Sequence, residues 1–424
     1  MNNNEILVAV DLGSTHMAAI AAIEQPDGTL KIMALEEQGK TQILNNIRKG
    51  IIENSSQVSF KLNEMKQFLR NRTHSEINTM FVALGAKGMK MVEATVEHEF
   101  DVLTSISQHT IDTMIAECKM EIEQQNPEFS VFDIIPISYT IDGQRKLTDI
   151  SKAKAKHISA QYVVVVGILA IKRGIDGSFD RSGIVLEHSA LKMYAQSTAV
   201  LSDEARQNGA VIIDLGGETT TMSAFHDGRL QDLCVVPLGA HNITRDIASL
   251  EISEEYAEKL KLRKGCAIEK MVTNPVCVKI QNIVSGQPHV EISTQQLAEI
   301  IEARLLEILT PIFRKIKQLP FDLENGIVLT GGGAMLEGIC EFVEMYTKFP
   351  VTIGSHAEWL ADGTDAKYES PNYSQLIGLL ALGAQYRKEN IEQPIVKEPK
   401  IKKGLFGRLG DGVMSLFSDE ENNN

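Results

Sequence analysis

Two short stretches share an aspartate, a glycine two positions on and hydroxyls soon after: Asp11, Gly13, Ser14 and Thr15 in VDLGSTH, and Asp214, Gly216, Gly217, Thr219 and Thr220 in IIDLGGETTT. In each, an aspartate ends an apolar run, and a glycine two positions later frees the backbone to turn so that N–H groups and hydroxyls converge on an anion. A carboxylate beside an anion repels it unless a cation intervenes. Magnesium, held largely through its waters, would let Asp11 and Asp214 occupy such a place. Two such turns can grip a polyphosphate from opposite sides. Taken singly, each is equally an ordinary hairpin turn, because Gly and Asp both favour turns; the pair is harder to read that way.

A third stretch, VLTGGGAMLEG, sets Gly331, Gly332 and Gly333 between an apolar strand and a helix predicted to begin near Met335. Glycines there let a phosphate or its sugar approach a helix N-terminus. The stretch has neither the lysine of a P-loop nor the spacing of a dinucleotide fingerprint. In SEEYAEKLKLRKGCA, Glu258 and Lys261 lie three apart and share a helix face, so that they reach a ribose and a base together or stand in solvent as surface charge.

The elements that must position these residues are themselves repeated. EILVAVDLGST, HMAAIAAIE and TLKIMALEE read as three strands joined by tight turns, with the helical KLNEMKQFLRN following; AVIIDLGGETT, TMSAFHD and LQDLCVVPLG repeat that order before NITRDIASL. A repeat of about two hundred residues is too long for a solenoid and implies two related domains facing one another across a cleft. A chain of 424 residues is long enough for such a pair.

The formal charge of −14 disfavours nucleic acid as a partner. Five scattered cysteines, Cys118, Cys234, Cys266, Cys277 and Cys340, show no C-x-x-C spacing and indicate a reducing cytoplasm. No basic-then-apolar leader opens the sequence. The longest apolar run, VVVVGILAI from Val163 to Ile171, falls far short of the roughly twenty residues that cross a bilayer and is expected to be a central strand buried on both faces.

These four stretches resemble those of the actin-like ATPase superfamily, and within it the chain is similar to the FtsA family of bacterial cell-division proteins. The resemblance implies an α/β fold of duplicated actin-like (ribonuclease H-like) domains around a nucleotide cleft, with ATP and magnesium as cofactors. Carried over by position, Asp11, Gly13, Ser14, Thr15 and His16 would hold phosphates and metal with Asp214, Gly216, Gly217, Thr219 and Thr220. Asp11 and Asp214 would be the metal residues, Glu258 and Lys261 would contact adenosine, and Gly331, Gly332, Gly333 and Met335 would line its pocket. Four positions depart from the family pattern: His16 stands where many members carry lysine, Glu218 and Thr221 replace glycine and aspartate, and Lys192 falls near the residue that positions the attacking water. A protonated lysine cannot accept that water's proton, so ATP binding is expected, with slow or weak hydrolysis at most.

The resemblance also assigns the rest of the chain. Residues 83–160 would be an inserted FtsA-type α+β subdomain for self-association and recruitment of other division proteins, interrupting a first domain made of 1–82, 161–207 and 372–389. The second domain would combine 208–240 and 297–371, with 241–296 as a subdomain contacting nucleotide and FtsZ. In STQQLAEIIEARLLEIL, a Ser or Thr cap and an apolar stripe through Leu297, Ile300, Ile301 and Leu305 predict a helix on which Arg304 would bind the FtsZ C-terminal peptide.

Residues 390–401 read as a charged linker, and 402–418 as an amphipathic helix that sets Leu405, Phe406, Leu409, Val413, Leu416 and Phe417 against lipid, with Lys402, Lys403 and Arg408 facing anionic headgroups; 419–424 would be a disordered tail. The function implied is an ATP-binding, polymerising, peripheral protein on the cytoplasmic face of the inner membrane at the septum, tethering FtsZ filaments of the Z-ring. A PilM-like pilus-assembly adaptor and a small-molecule kinase of the same superfamily are the rival readings; no catalytic base for a kinase stands out near LKMYAQS.

Overall fold

The computed structural model describes residues 6–39, 46–146, 150, 153–283 and 287–392. The expected amphipathic helix, with all nine of its membrane residues from Lys402 to Phe417, lies outside the described residues. The chain divides into two compact bodies, one formed by Met1–Lys87 with Arg173–Gln393, the other carrying Gly88–Lys172.

The first body contains the duplication as two five-stranded sheets of the same topology. In the first, the Asp11 strand (Ile6–Leu12) forms a hairpin with His16–Glu24 in the register Ile6↔Ile23 to Leu12↔Met17. Leu30–Gly39 adds outside that hairpin, antiparallel. On the other side of the Asp11 strand, Thr79–Leu84 and then Val185–Leu191 add in parallel. In the second sheet the Asp214 strand (Ala210–Leu215) forms the hairpin with Thr220–His226, Arg229–Val236 lies outside it, and Ile327–Thr330 and Val351–Ile353 add in parallel. Each aspartate therefore ends the middle strand of its sheet. The middle strands are almost wholly apolar because packed elements cover them: Ala9, Val10, Val211 and Ile212 are each fully buried.

Helices fix those sheets in place. Ser55–Thr73 packs on the first sheet, as does the closing helix Ser374–Glu392, which also packs along the helix Lys192–Val200. The helix Thr294–Ile316 starts as predicted: Ser293 Oγ accepts from the Gln296 N–H at 3.1 Å while the Gln296 amide oxygen accepts from the Ser293 N–H at 3.1 Å. Leu297, Ile301, Leu305, Ile308 and Ile312 then bury one stripe in the core of the second sheet, with Ile300 at its margin. The helix expected near Met335 starts later. Gly332–Met335 is a 3₁₀ turn, and the α-helix is Ile339–Thr347, set off by Gly338 at φ 75°. The intervening Glu337 is held extended, its carbonyl accepting from the Ala267 N–H at 2.8 Å.

The second body is a four-stranded antiparallel sheet, ordered Lys90–Ser105, Lys154–Ile168, Phe129–Ile141, Gln144–Lys146. One helix, Gln108–Gln125, covers it by inserting Met114, Cys118 and Ile122 among Ile158, Tyr162 and Val164. The run Val163 to Ile171 is strand only as far as Ile168, and Leu169 begins the helix Leu169–Ser182; Val163 is partly exposed. The strand is central, as expected, but because it is continuous from Lys154 the body extends to Lys172 rather than stopping at 160.

In the first body, His356 is fully buried, with Nδ1 at 3.2 Å from Ser374 Oγ and Nε2 at 2.7 Å from the Tyr368 carbonyl. Burial pushes its pKa down, against the bond to Tyr368 and the nearby Glu369. The folded protein thus holds the imidazole neutral where the unfolded chain takes up a proton, and stability falls as pH drops below about 6.5. Urea midpoints measured from pH 7.5 to 5.5 are expected to fall less steeply in His356→Asn than in the parent.

Candidate functional site

The two aspartate turns are built alike. At Gly13 a Cβ would lie 2.4 Å from the His16 carbonyl oxygen, and at Gly216 one would lie 2.9 Å from that of Thr219, so each hairpin closes only over glycine. The turns then meet. Thr15 lies directly against Gly217, where a Cβ would stand 2.2 Å from Thr15 Oγ1. Gly239 sits beneath the second turn, and the N–H groups of Ala240 and His241 donate to the Gly216 and Gly217 carbonyls at 2.8 Å each.

Between the turns, Lys192 opens its helix and reaches the second aspartate, with Nζ 2.6 Å from Asp214 Oδ2. The Asp214 side chain is 3% exposed and that of Lys192 19%. Burial works against the lysine's charge, yet Asp214 and then Asp11 outweigh it and hold the ammonium pKa above its usual value. Asp11 is shifted up by loss of hydration, opposed by Lys192 and His16 and reinforced by Asp214. Its Oδ1 accepts from Gln375 Nε2 at 3.0 Å, on the closing helix.

A small hairpin, Ile47–Arg48 with Ile51–Ile52, touches both turns through successive backbone amides. The Gly50 N–H donates to Ser14 Oγ at 3.1 Å and the Lys49 N–H to Glu218 Oε2 at 3.0 Å. Lys49 at φ 51° and Gly50 at φ 79° are left-handed, which aims the two amides this way. Arg245 stands 3.6 Å from Glu218 Oε1. Glu218 is thereby paired with a backbone amide and with Arg245.

Around the third glycine stretch, the Thr330 hydroxyl is buried with no partner among the described residues, beside Gly331 at φ 80°. Met335 is 56% exposed, with its sulfur 3.5 Å from Asn372 Nδ2 and 3.6 Å from Ser370 Oγ. An orphan hydroxyl, bare glycine backbone and an exposed thioether suit the sugar and base of an adenine nucleotide.

The structure thus gathers Asp11, Gly13, Ser14, Thr15, Asp214, Gly216, Gly217, Thr219, Gly331, Gly332 and Gly333 around facing turns, with Met335 exposed at one side. Other expected contacts are used internally. Thr220 is fully buried and its hydroxyl donates to the Leu238 carbonyl at 2.9 Å, because it begins a strand pointing into the core. His16 lies 2.9 Å from Glu37. Lys261 is buried and donates to Ala240 O at 3.1 Å, Thr244 Oγ1 at 2.8 Å and Glu258 Oε2 at 2.7 Å, tying Glu254–Lys264 to Ala240–Ala248. Glu258 also accepts from Thr244. Lys261 and Glu258 are thus bonded to each other and both to Thr244.

The magnesium expectation suits this donor set poorly. Lys192 Nζ stands 2.6 Å from Asp214 Oδ2, a buried oxygen with no hydrogen bond among the described residues, and a Cβ on Gly331 would stand 2.4 Å from Oδ1, so the glycine backbone lies close to that oxygen. An octahedral ion that keeps most of its waters has little room against this carboxylate. Gln375, Lys49, Arg245 and Gly85 escaped sequence reading; the first lies 364 residues from the aspartate it binds and carries no motif.

Arg304 lies elsewhere, on a shallow cavity of about 410 Å³ lined by Asp246, Ser249, Leu250, Ile300, Ala303 and Glu307. Its Nε donates to Asp246 Oδ2 at 2.5 Å and Nη2 to Oδ1 at 2.8 Å, a two-point pairing, while Nη1 meets Glu307.

Comparison with known proteins matches residues 211–378 to the family model described as cell division protein FtsA. Proteins of that description from Pseudomonas aeruginosa (24% identical, covering 93% of each chain), Escherichia coli K12 (24%, covering 98% of this chain and 97% of the relative) and Bacillus subtilis (25%, 84% and 80%) are similar over most of their length. Among solved structures, the PilM–PilN type IV pilus biogenesis complex superposes with a TM-score of 0.64 at 14% identity, covering 89% of this chain and 98% of that one. MreB5 of Spiroplasma citri bound to ADP gives 0.57 at 14%, covering 92% and 100%. These structural likenesses establish the actin-like fold. With its doubled aspartate-ended sheets, the chain is similar along most of its length to proteins described as cell division protein FtsA.

Proposed function

We propose that this protein binds ATP between its two duplicated halves, self-associates, and tethers FtsZ filaments to the cytoplasmic face of the bacterial inner membrane at the division septum. The observation that carries the nucleotide reading is the meeting of the Asp11 and Asp214 turns beside the glycines 331–333 and the buried, unpartnered Thr330 hydroxyl. Hydrolysis is slow because Lys192, charged and paired with Asp214, cannot take a proton from water.

Arg304 receives the FtsZ C-terminal peptide by exchange: a peptide carboxylate replaces Asp246 in the guanidinium fork, and the peptide's apolar residues enter the cavity beside Leu250 and Ile300. The body carrying Gly88–Lys172 serves self-association and recruitment of other division proteins. Residues 402–418 form the lipid-binding helix, which is weak alone and becomes firm when protomers present many copies together.

Fluorescence anisotropy with a labelled FtsZ tail peptide tests the partner. Arg304→Glu is expected to weaken it about tenfold or more, ~1.4 kcal/mol. Equal affinity in the variant, or binding of a pilus inner-membrane peptide instead, overturns the assignment. Removing residues 402–424 is expected to abolish co-sedimentation with anionic liposomes while leaving nucleotide binding intact; unchanged co-sedimentation overturns the tether.

A further inference from the structure

We propose that Lys192 is the resident cation of the cleft, its ammonium standing where a divalent ion would, so that this protein binds nucleotide without a divalent metal. The inference rests on the nucleotide reading above and deepens it.

Three observations converge. First, the ammonium is 2.6 Å from Asp214 Oδ2, and that carboxylate is 3% exposed. A buried carboxylate needs a compensating charge, and the chain supplies one covalently. Second, the lysine stem runs over Gly85, where a Cβ would lie 2.9 Å from both Lys192 Cβ and Cδ. A side chain at 85 would deflect the stem, so glycine there forms a slot that holds the ammonium in place. Third, two further oxygens are crowded or bonded from other directions. Gly331 leaves no room for a Cβ beside Asp214 Oδ1, and Gln375 donates to Asp11 Oδ1 at 3.0 Å. A hydrated dication would have to displace the ammonium, meet its repulsion, and find its waters excluded from Asp214.

The ammonium, held beside Asp214, faces any phosphate admitted between the turns. Magnesium brings two charges to such a site and leaves when nucleotide is stripped of metal; a lysine stays in either case.

The test is equilibrium titration of a fluorescent ATP analogue into the full chain, in excess EDTA and in excess magnesium chloride. The expected result is the same dissociation constant in both within about threefold, below 1 kcal/mol. Lys192→Gln is expected to bind at least about tenfold more weakly in EDTA than in magnesium, because the emptied place then accepts the ion. Lys192→Arg keeps the charge and is expected to stay insensitive to EDTA; as the milder change, it guards against loss of fold in the glutamine variant. Parent binding that requires magnesium, or a glutamine variant as indifferent to EDTA as the parent, overturns the inference and leaves the nucleotide reading standing. Absence of binding by the parent in both buffers instead overturns the nucleotide reading itself.

Discussion

Replacing Gly378 with alanine is expected to cost about 3 kcal/mol or more, the upper end for overpacking, and to remove nucleotide binding with it. The closing helix Ser374–Glu392 crosses Lys192–Val200 with backbone against backbone at this residue. A Cβ on Gly378 would stand 1.7 Å from the Ala195 carbonyl oxygen and 2.6 Å from its carbon. Neither atom is the end of a flexible side chain, so relief requires the helices to part. Parting them moves both groups that hold the aspartates, since Lys192 begins one helix and Gln375 lies in the first turn of the other. Urea denaturation followed by circular dichroism measures the loss. Gly39→Ala, where a Cβ would meet nothing within 4 Å, is the control and should change the midpoint little.

The second large effect is expected at Arg387. Its Nε donates to Glu187 Oε1 at 2.6 Å and Nη2 to Oε2 at 2.6 Å, and Nη1 reaches the Ile6 carbonyl at 3.0 Å. One guanidinium thereby ties the closing helix to the Asp11 strand and to the Val185–Leu191 strand. The two side chains are 20% and 19% exposed, so removing one leaves the other mostly desolvated. Arg387→Ala should lower stability by about 3 kcal/mol at neutral pH, the low end for a broken buried pair.

The cost depends on pH in a definite sense. Burial alone would raise the Glu187 pKa, but the bonds from Arg387 and Thr79 and the charge of Arg387 bring it below its usual value. A carboxylate depressed in the folded state contributes its full stabilisation above the unfolded pKa, about 4.3, and loses it as pH falls through the lower folded value. The gap between parent and Arg387→Ala in urea midpoint should therefore stay level from pH 8 to 5.5 and narrow below about pH 4.3. A gap that widens in acid would rule out the pair as its source.

Much of this architecture was legible in the sequence because the signals were local. The hairpins needed only alternating apolar runs and Gly-containing turns within thirty or so residues, and the Ser293 cap only a residue and its neighbour three on. The duplication was visible for the same reason: each half writes its Asp-x-Gly turn in continuous chain. What stayed hidden is what depends on distant chain. Gln375 on Asp11, Lys49 on Glu218 and the Gly85 slot join residues with no periodic relation, and nothing in SQLIGLL announces an aspartate partner.

Lys261 shows what spacing leaves open. Its spacing from Glu258 predicts a shared face, and the structure turns Lys261 on that face toward Ala240 and Thr244. Spacing fixes which side chains travel together and leaves open which neighbour they meet. The late start of the helix after Met335 is similar: apolar periodicity ran through the stretch, while Gly338 and the pairing of Glu337 with Ala267 set the boundary.

The closing helix has a consequence for the order in which a nascent chain becomes native. All strands of the second sheet lie between Ala210 and Ile353, so that half can assemble from continuous chain as it leaves the ribosome. The first half cannot. Its earliest strand waits for Gln375 and Arg387, 364 and 381 residues downstream of the groups they bind. Long loops close slowly and leave apolar surface uncovered meanwhile. The aspartate that emerges first from the ribosome is thus among the last to gain its partner, and a ribosome that stops short of the closing helix releases a chain with one finished half and one open sheet.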